Sequence, residues 1–266
     1  MSEHTPRDIQ SKLALVTGAS RGIGRALALE LVREHGACVY ACARSHDELL
    51  ELQRDCQGLP LHIAALDICD TDALDELFAR IEEEQGGTLD FLINNASVLG
   101  PTETLDMIED EAWEHVLDVN VNGSFYVTKR ALAMLRAASS ADDADSPSII
   151  INLSSSVGRK VRAEWGAYSI SKYALEGLSA LVAEEEDPSQ VVSVTLNPGG
   201  TATQMRAEAY PDEDPDSIPS AEKVASTITL LLRTLDASCA GKRYSSRALF
   251  DFVDASSIEP GALPSE

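Results

Sequence analysis

The chain has 266 residues, 44% of them hydrophobic, which suits one large α/β domain with a sizeable core and excludes global disorder. Its 44 acidic and 21 basic residues give a net charge of −23, a surface that repels nucleic acid and anionic membranes. No apolar run reaches the ~18 residues of a membrane span, and the polar stretch Met1 to Gln10 lacks the apolar core of a secretory signal, which predicts a cytoplasmic protein.

The acidity has two readings, adaptation to high salt or simply a soluble acidic surface. Either way, an anionic cofactor requires a locally basic site. The cysteines at 38, 42, 56, 69 and 239 form no C-x-x-C pair. Cys38 and Cys42, on one expected strand, stand about 13 Å apart, too far for a disulfide. They read as buried thiols in a reducing compartment. The histidines are scattered without ligand spacing, so no metal is expected.

Short apolar runs alternate with helical patterns. Strands are expected at Lys12–Thr17, Ala37–Ala43, Leu61–Leu66, Leu89–Asn94, Ser148–Leu153 and Val191–Leu196. Helices are expected near Gly22–Glu34, His46–Cys56, Thr71–Glu84, Glu109–Ala137, Ala167–Glu185 and Ala221–Leu235. Strands buried on both faces and alternating with helices imply right-handed βαβ units and a parallel sheet. Ala138–Pro147 reads as a polar loop, and Tyr210–Ser220, rich in proline and acid, as a mobile surface segment.

The first strand runs into Thr17-Gly18-Ala19-Ser20-Arg21-Gly22-Ile23-Gly24 and then a helix. Glycines let the backbone turn sharply beside a pyrophosphate, and the helix N-terminus offers free N–H groups. A G-x-G-x-x-G fingerprint would need glycine at Leu27; the pattern here is T-G-x-x-x-G-x-G. The second strand ends in Arg44, where an NAD site usually carries an acid. Arg44, with Arg21 as a second clamp, suits a 2′-phosphate and favours NADP(H) over NAD(H).

Tyr168 and Lys172 lie four apart at the start of a helix, on one face. An ammonium there lowers a phenol's pKa, so that it can pass a proton to or from a carbonyl oxygen. Ser155 stands thirteen residues upstream, just past the fifth strand, where ligands sit in a parallel sheet. Ser154 beside it reads as an ordinary loop hydroxyl.

With these motifs the chain resembles the short-chain dehydrogenase/reductase family, in its compact branch; the extended branch would carry glycine at Arg21. The segment Ser155–Gly177, with Trp165, resembles a bacterial subgroup of uncertain substrate. The resemblance implies a Rossmann-type doubly wound parallel sheet of about seven strands in three α/β/α layers. It implies one NADP-binding domain over 1–266, with loose tails at 1–10 and 255–266 and a mobile substrate-side segment at 203–220. Asn120, Ser155, Tyr168 and Lys172 would be catalytic, Asn120 by holding a proton-relay water. Gly18, Ser20, Arg21, Gly22, Ile23, Gly24, Arg44, Asp67, Ile68, Asn95, Ala96, Tyr168, Lys172, Pro198, Gly199, Thr201 and Thr203 would hold the cofactor. Ser97 stands where the family carries glycine.

Substrate candidates are Val98, Leu99, Val157, Trp165 and Met205, with Glu164, Arg206 and Tyr210 nearby. Trp165 is a substrate wall or core packing; Arg206 binds an acidic substrate or pairs with the acidic segment after it. A 3-oxoacyl compound, a small ketone, a steroid-like ring and a pterin all remain open. Carbonyl reduction, or its reverse, on a small molecule is the implied activity, in a homodimer or homotetramer. The alternative is a non-catalytic NADP-binding regulatory or assembly subunit on the same fold.

Overall fold

The structure is a computed structural model and describes residues 7–142, 146–253 and 262–266. Seven parallel strands form one sheet in the order β3-β2-β1-β4-β5-β6-β7. They are β1 (Leu13–Thr17), β2 (Cys38–Ala43), β3 (Leu61–Ala65), β4 (Phe91–Asn94), β5 (Ser148–Leu153), β6 (Val191–Asn197) and β7 (Arg243–Ser245). The order reverses between β1 and β4, which opens a crevice at their carboxyl ends.

Alternation within each strand feeds two cores. Ala14 and Val16 of β1 face a layer made by α1 (Gly22–Arg33), α2 (His46–Asp55) and α8 (Ala221–Thr234). Leu13 and Leu15 face α3 (Thr71–Gln85), α5 (Ser124–Asp142) and α6 (Gly166–Glu185). The central strands β1, β4 and β5 are buried throughout, which is why they read as continuous apolar runs.

The expected Glu109–Ala137 helix differs in two ways. It begins as α4 (Asp110–Leu117), passes through one π-helical turn at Asp118–Gly123, and continues as α5 through Asp142. The first half of the expected loop at 138–147, through Asp142, is therefore helix, because backbone hydrogen bonding outlasts the apolar periodicity. Two short helices stand outside the expected elements, α7 (Gln204–Ala209) and α9 (Ser246–Leu249).

The described parts of the chain ends are packed, not loose. Ile9 is fully buried, and the Arg7 guanidinium donates to the carbonyls of Pro147 and Leu235. At the other end Leu263 joins the core, and the Glu266 amide donates to the Arg243 carbonyl at 2.8 Å. The remaining tail residues, 1–6 and 254–261, lie outside the described residues. Of the cysteines, Cys42, Cys56 and Cys239 are buried, while Cys38 and Cys69 are half-buried. Among the described residues no helix is long and apolar enough to cross a membrane.

Candidate active site

The crevice at the carboxyl ends of β1 and β4 is a cleft of about 470 Å³. Its floor is tied together by Thr17 at the end of β1. The Thr17 hydroxyl accepts from the amides of Asn95 and Ala96, each at 3.0 Å, just past the end of β4. The Asn95 side-chain amide donates to the carbonyls of Thr17 and Gly18. Asn95 lines the cleft, as expected, but its amide is spent on the glycine turn.

The turn needs its glycines. Gly18 has φ +64°, and a Cβ there would lie 2.7 Å from the Ala96 Cα. At Gly24, inside α1, a Cβ would meet the Gly18 carbonyl oxygen at 2.5 Å. Around the turn, Ser20, Arg21, Gly22, Ile23, Arg44, Asp67, Ile68, Ala96, Pro198 and Thr203 line the same cleft. Gly199 and Thr201 do not: Thr201 is buried, and its hydroxyl donates to the Gly199 carbonyl at 3.3 Å.

Arg21 and Arg44 have no carboxylate partner among the described residues, although acids outnumber bases twofold. Arg21 instead donates to the Gln204 side-chain oxygen on α7. Beside Arg44, Ser45 caps α2 by accepting from the Glu48 amide, and both line the cleft. Their signal in the sequence is the capping-box pattern Ser45-His46-Asp47-Glu48.

Tyr168 and Lys172 reach the cleft from the first turns of α6. Lys172 is buried; its ammonium donates to the Leu153 carbonyl at 2.8 Å and lies 5.5 Å from the Tyr168 ring. Burial pulls this amine down to about 8, against the raising influence of Glu176 one turn along. Tyr168 departs from expectation. Burial pushes its phenol up to about 12, and the opposing influence is a hydrogen bond with Ser155. Desolvation outweighs that hydrogen bond, so the phenol is protonated at neutral pH.

Ser155 follows β5, and its hydroxyl also accepts from the Val157 amide. Its neighbour Ser154 is not an ordinary loop hydroxyl. The Ser154 oxygen is buried, lines the cleft and has no hydrogen-bond partner, as is also true of the Ser97 hydroxyl. Two orphaned hydroxyls in a cleft point to a polar ligand there.

Asn120 sits in the π turn with its side chain fully occupied. It accepts from the Val98 amide at 2.8 Å and donates to the Val98 carbonyl and the Ser171 hydroxyl. These partners tie the loop after β4 to α6.

On the outer side of Tyr168, Leu99 and Val157 are buried against its ring, with Trp165, Met205 and Ala209 packed around them. Val98 and Met205 also line the cleft. Trp165 meets Tyr168 edge-on at 5.8 Å and Tyr210 at 6.0 Å. Glu164, at φ +67°, turns the chain into this wall. Arg206 pairs with the acidic segment: its fork holds both Glu213 oxygens at 2.6 Å, and its guanidinium lies over the Tyr210 ring.

Residues 12–214 match the family model described as short chain dehydrogenase. The chain belongs to the short-chain dehydrogenase family. It is 35% identical over 215 residues to the uncharacterized oxidoreductase YciK of Escherichia coli (strain K12), covering 79% of this chain and 81% of that one. It is 32% identical over 203 residues to an NADPH-dependent pterin aldehyde reductase of Arabidopsis thaliana, covering 76% and 80%. A short chain dehydrogenase of Shigella flexneri 2a, solved in complex with NADP, superposes with a TM-score of 0.79 at 31% identity, covering 90% of this chain and 99% of that one.

Proposed function

We propose that this short-chain dehydrogenase is a cytoplasmic, NADPH-dependent carbonyl reductase of small molecules. The observation that carries the reading is convergence. Tyr168, bonded to Ser155 and backed by Lys172, stands at one end of a cleft whose other end is a glycine turn with unpaired arginines. The residues fit NADP: the turn has no room for side chains, Arg21 and Arg44 are free of carboxylates, and Ser97 and Ser154 hold unspent hydroxyls.

Bound NADPH supplies a hydride to the carbonyl carbon. Tyr168 donates the phenolic proton to the carbonyl oxygen, so one hydride and one proton turn C=O into CH–OH. Ser155 shares a hydrogen bond with the phenol and offers its hydroxyl to the same oxygen. Lys172, an ammonium below pH ~8, stabilises the phenolate that remains. Asn120 positions: it fixes the loop after β4 against α6 through Val98 and Ser171.

A carbonyl panel with NADPH and NADH in parallel tests the reading. Consumption of NADPH with at least one aldehyde or ketone supports it; tight NADPH binding with no consumption across the panel supports a non-catalytic subunit instead.

Two outcomes follow for the cofactor and for pH. Arg44→Asp should cut kcat/KM with NADPH by about 10- to 100-fold and favour NADH, since a charged hydrogen bond to phosphate is lost and a repulsion gained. In the reductive direction, kcat/KM for the free enzyme should fall above pH about 8, as Lys172 loses its proton while Tyr168 keeps its own. A profile flat to pH 10 would contradict that assignment.

We also propose a homo-oligomer built on α6. Ile170, Tyr173 and Leu181 are exposed apolar residues at helical spacing, and Gly177 on the same stripe has open space at its Cα. A second copy can approach closely there, and α5 also exposes Phe125. Leu181→Glu should lower the mass measured by light scattering to that of a monomer.

A further inference from the structure

A second cavity, of about 460 Å³, adjoins the cleft and shares Arg21, Ser97, Val98 and Met205 with it. It runs outward between the loop after β4 and α7, on the side of Leu99. Its inner end is apolar, formed by Leu99 and Met205, and both pack in the cluster around Tyr168. The Ser97 hydroxyl, buried and unpartnered, stands where the two cavities meet. Its outer part carries two exposed carboxylates, Glu103 and Glu208.

Of the cations near this passage, Arg21 is the one assigned above to the cofactor's phosphate, and Arg206 and Arg162 hold other partners. Arg21 donates to the Gln204 oxygen, and the Gln204 amide donates to Glu208 at 3.0 Å, so the guanidinium is linked through one side chain to an acid. Arg206 is held in a two-pronged pair by Glu213. Arg162 donates to the Tyr210 hydroxyl and lies over the Trp165 ring. With Arg21 given to the cofactor's phosphate, the described lining of this cavity carries two carboxylates and no other cation, in a chain whose net charge is −23.

Resting on the reductase reading above, we propose that the substrate is an uncharged or cationic carbonyl compound with an apolar body, admitted through the cavity of Leu99, Met205, Glu103 and Glu208, and that anionic substrates are excluded. Carboxylates and phosphate-bearing acyl carriers would meet Glu103 and Glu208 before reaching Tyr168. Like-charge opposition selects against them without any contact made to the favoured substrate.

Three aldehydes of one shape test this: methyl 4-formylbenzoate, 4-formylbenzoate and 4-(trimethylammonio)benzaldehyde, each with NADPH at low and high KCl. At low salt the ester and the ammonium compound should exceed the carboxylate in kcat/KM by about tenfold or more, and the gap should narrow as salt screens the acids. Glu103→Lys and Glu208→Lys should each raise the carboxylate relative to the ester by about fivefold, through KM. Equal turnover of all three aldehydes, or a ratio indifferent to both substitutions, overturns the proposal and leaves the reductase reading standing. No NADPH consumption with any of them, nor with the wider panel, overturns both.

Discussion

Tyr168→Phe should lower kcat for carbonyl reduction by between about 100-fold and 10,000-fold while NADPH still binds. In the proposed mechanism the phenol is the proton donor, and burial holds it near 12, well above working pH. Phenylalanine keeps the edge-on contact with Trp165 and the packing on Leu99 and Val157, so the fold has no reason to change. NADPH affinity, read by nucleotide fluorescence, separates a lost proton from a lost site. Ser155→Ala should cost less by itself, and little more when added to Tyr168→Phe, because groups that act on one proton are not additive. A Tyr168→Phe enzyme with full turnover would remove the phenol from the reaction.

The second large effect is on stability. Arg159, just past the serine turn, donates to Glu176 at 3.0 Å, to the Thr195 hydroxyl and the Tyr244 carbonyl at 3.2 Å, and to Glu266. Glu176 is buried on α6 and also accepts from Thr195 and faces Arg243 at 3.4 Å. Arg159→Met removes the ion-pair partner at 3.0 Å from buried Glu176 and leaves it the Thr195 hydroxyl and Arg243, and breaking a buried pair from one side costs about 3–5 kcal/mol. The residual contact to Arg243 places this case toward the lower figure. Tm should fall by roughly 6–12 °C for a chain of this size. Removing both charges, with Arg159→Met and Glu176→Leu together, should return much of that loss, since the stranded charge goes too. A double variant as unstable as the sum of the singles would mean that packing, not charge, holds this corner.

Much of this molecule was legible because burial writes itself into the sequence. The strands from β1 to β6 stood out as apolar runs, since parallel strands under two helical layers have no polar face to show. β7 carried no such run: it has three residues, opens with exposed Arg243, and exists through pairing with Thr195 to Asn197 of β6. The end of α5 was hidden for the opposite reason, as its last turns keep a helical backbone without an apolar stripe. Glycine spacing gave the cofactor turn, and Arg44 its charge, because both depend on local backbone and chain position. What side chains do to one another was less legible. Asn120 could be placed but not its turn toward Val98; Arg206 could be charged but not assigned to Glu213. The orphaned Ser154 and Ser97 hydroxyls have no sequence signature, because a missing partner is a property of three dimensions.

The π turn at Asp118–Gly123 acts as a phase shifter between two helical registers. Each residue advances an α-helix by about 100°, so one inserted residue swings everything after it by that angle. Here it lets Asn120 face Val98 and Ser171 while Val127, Ala131 and Leu135 of α5 still face the core. In a plain α-helix the two requirements would compete for one face. Deleting a single residue between Val121 and Gly123 would therefore force a choice, either unburying three core side chains or releasing the loop after β4 that lines the second cavity.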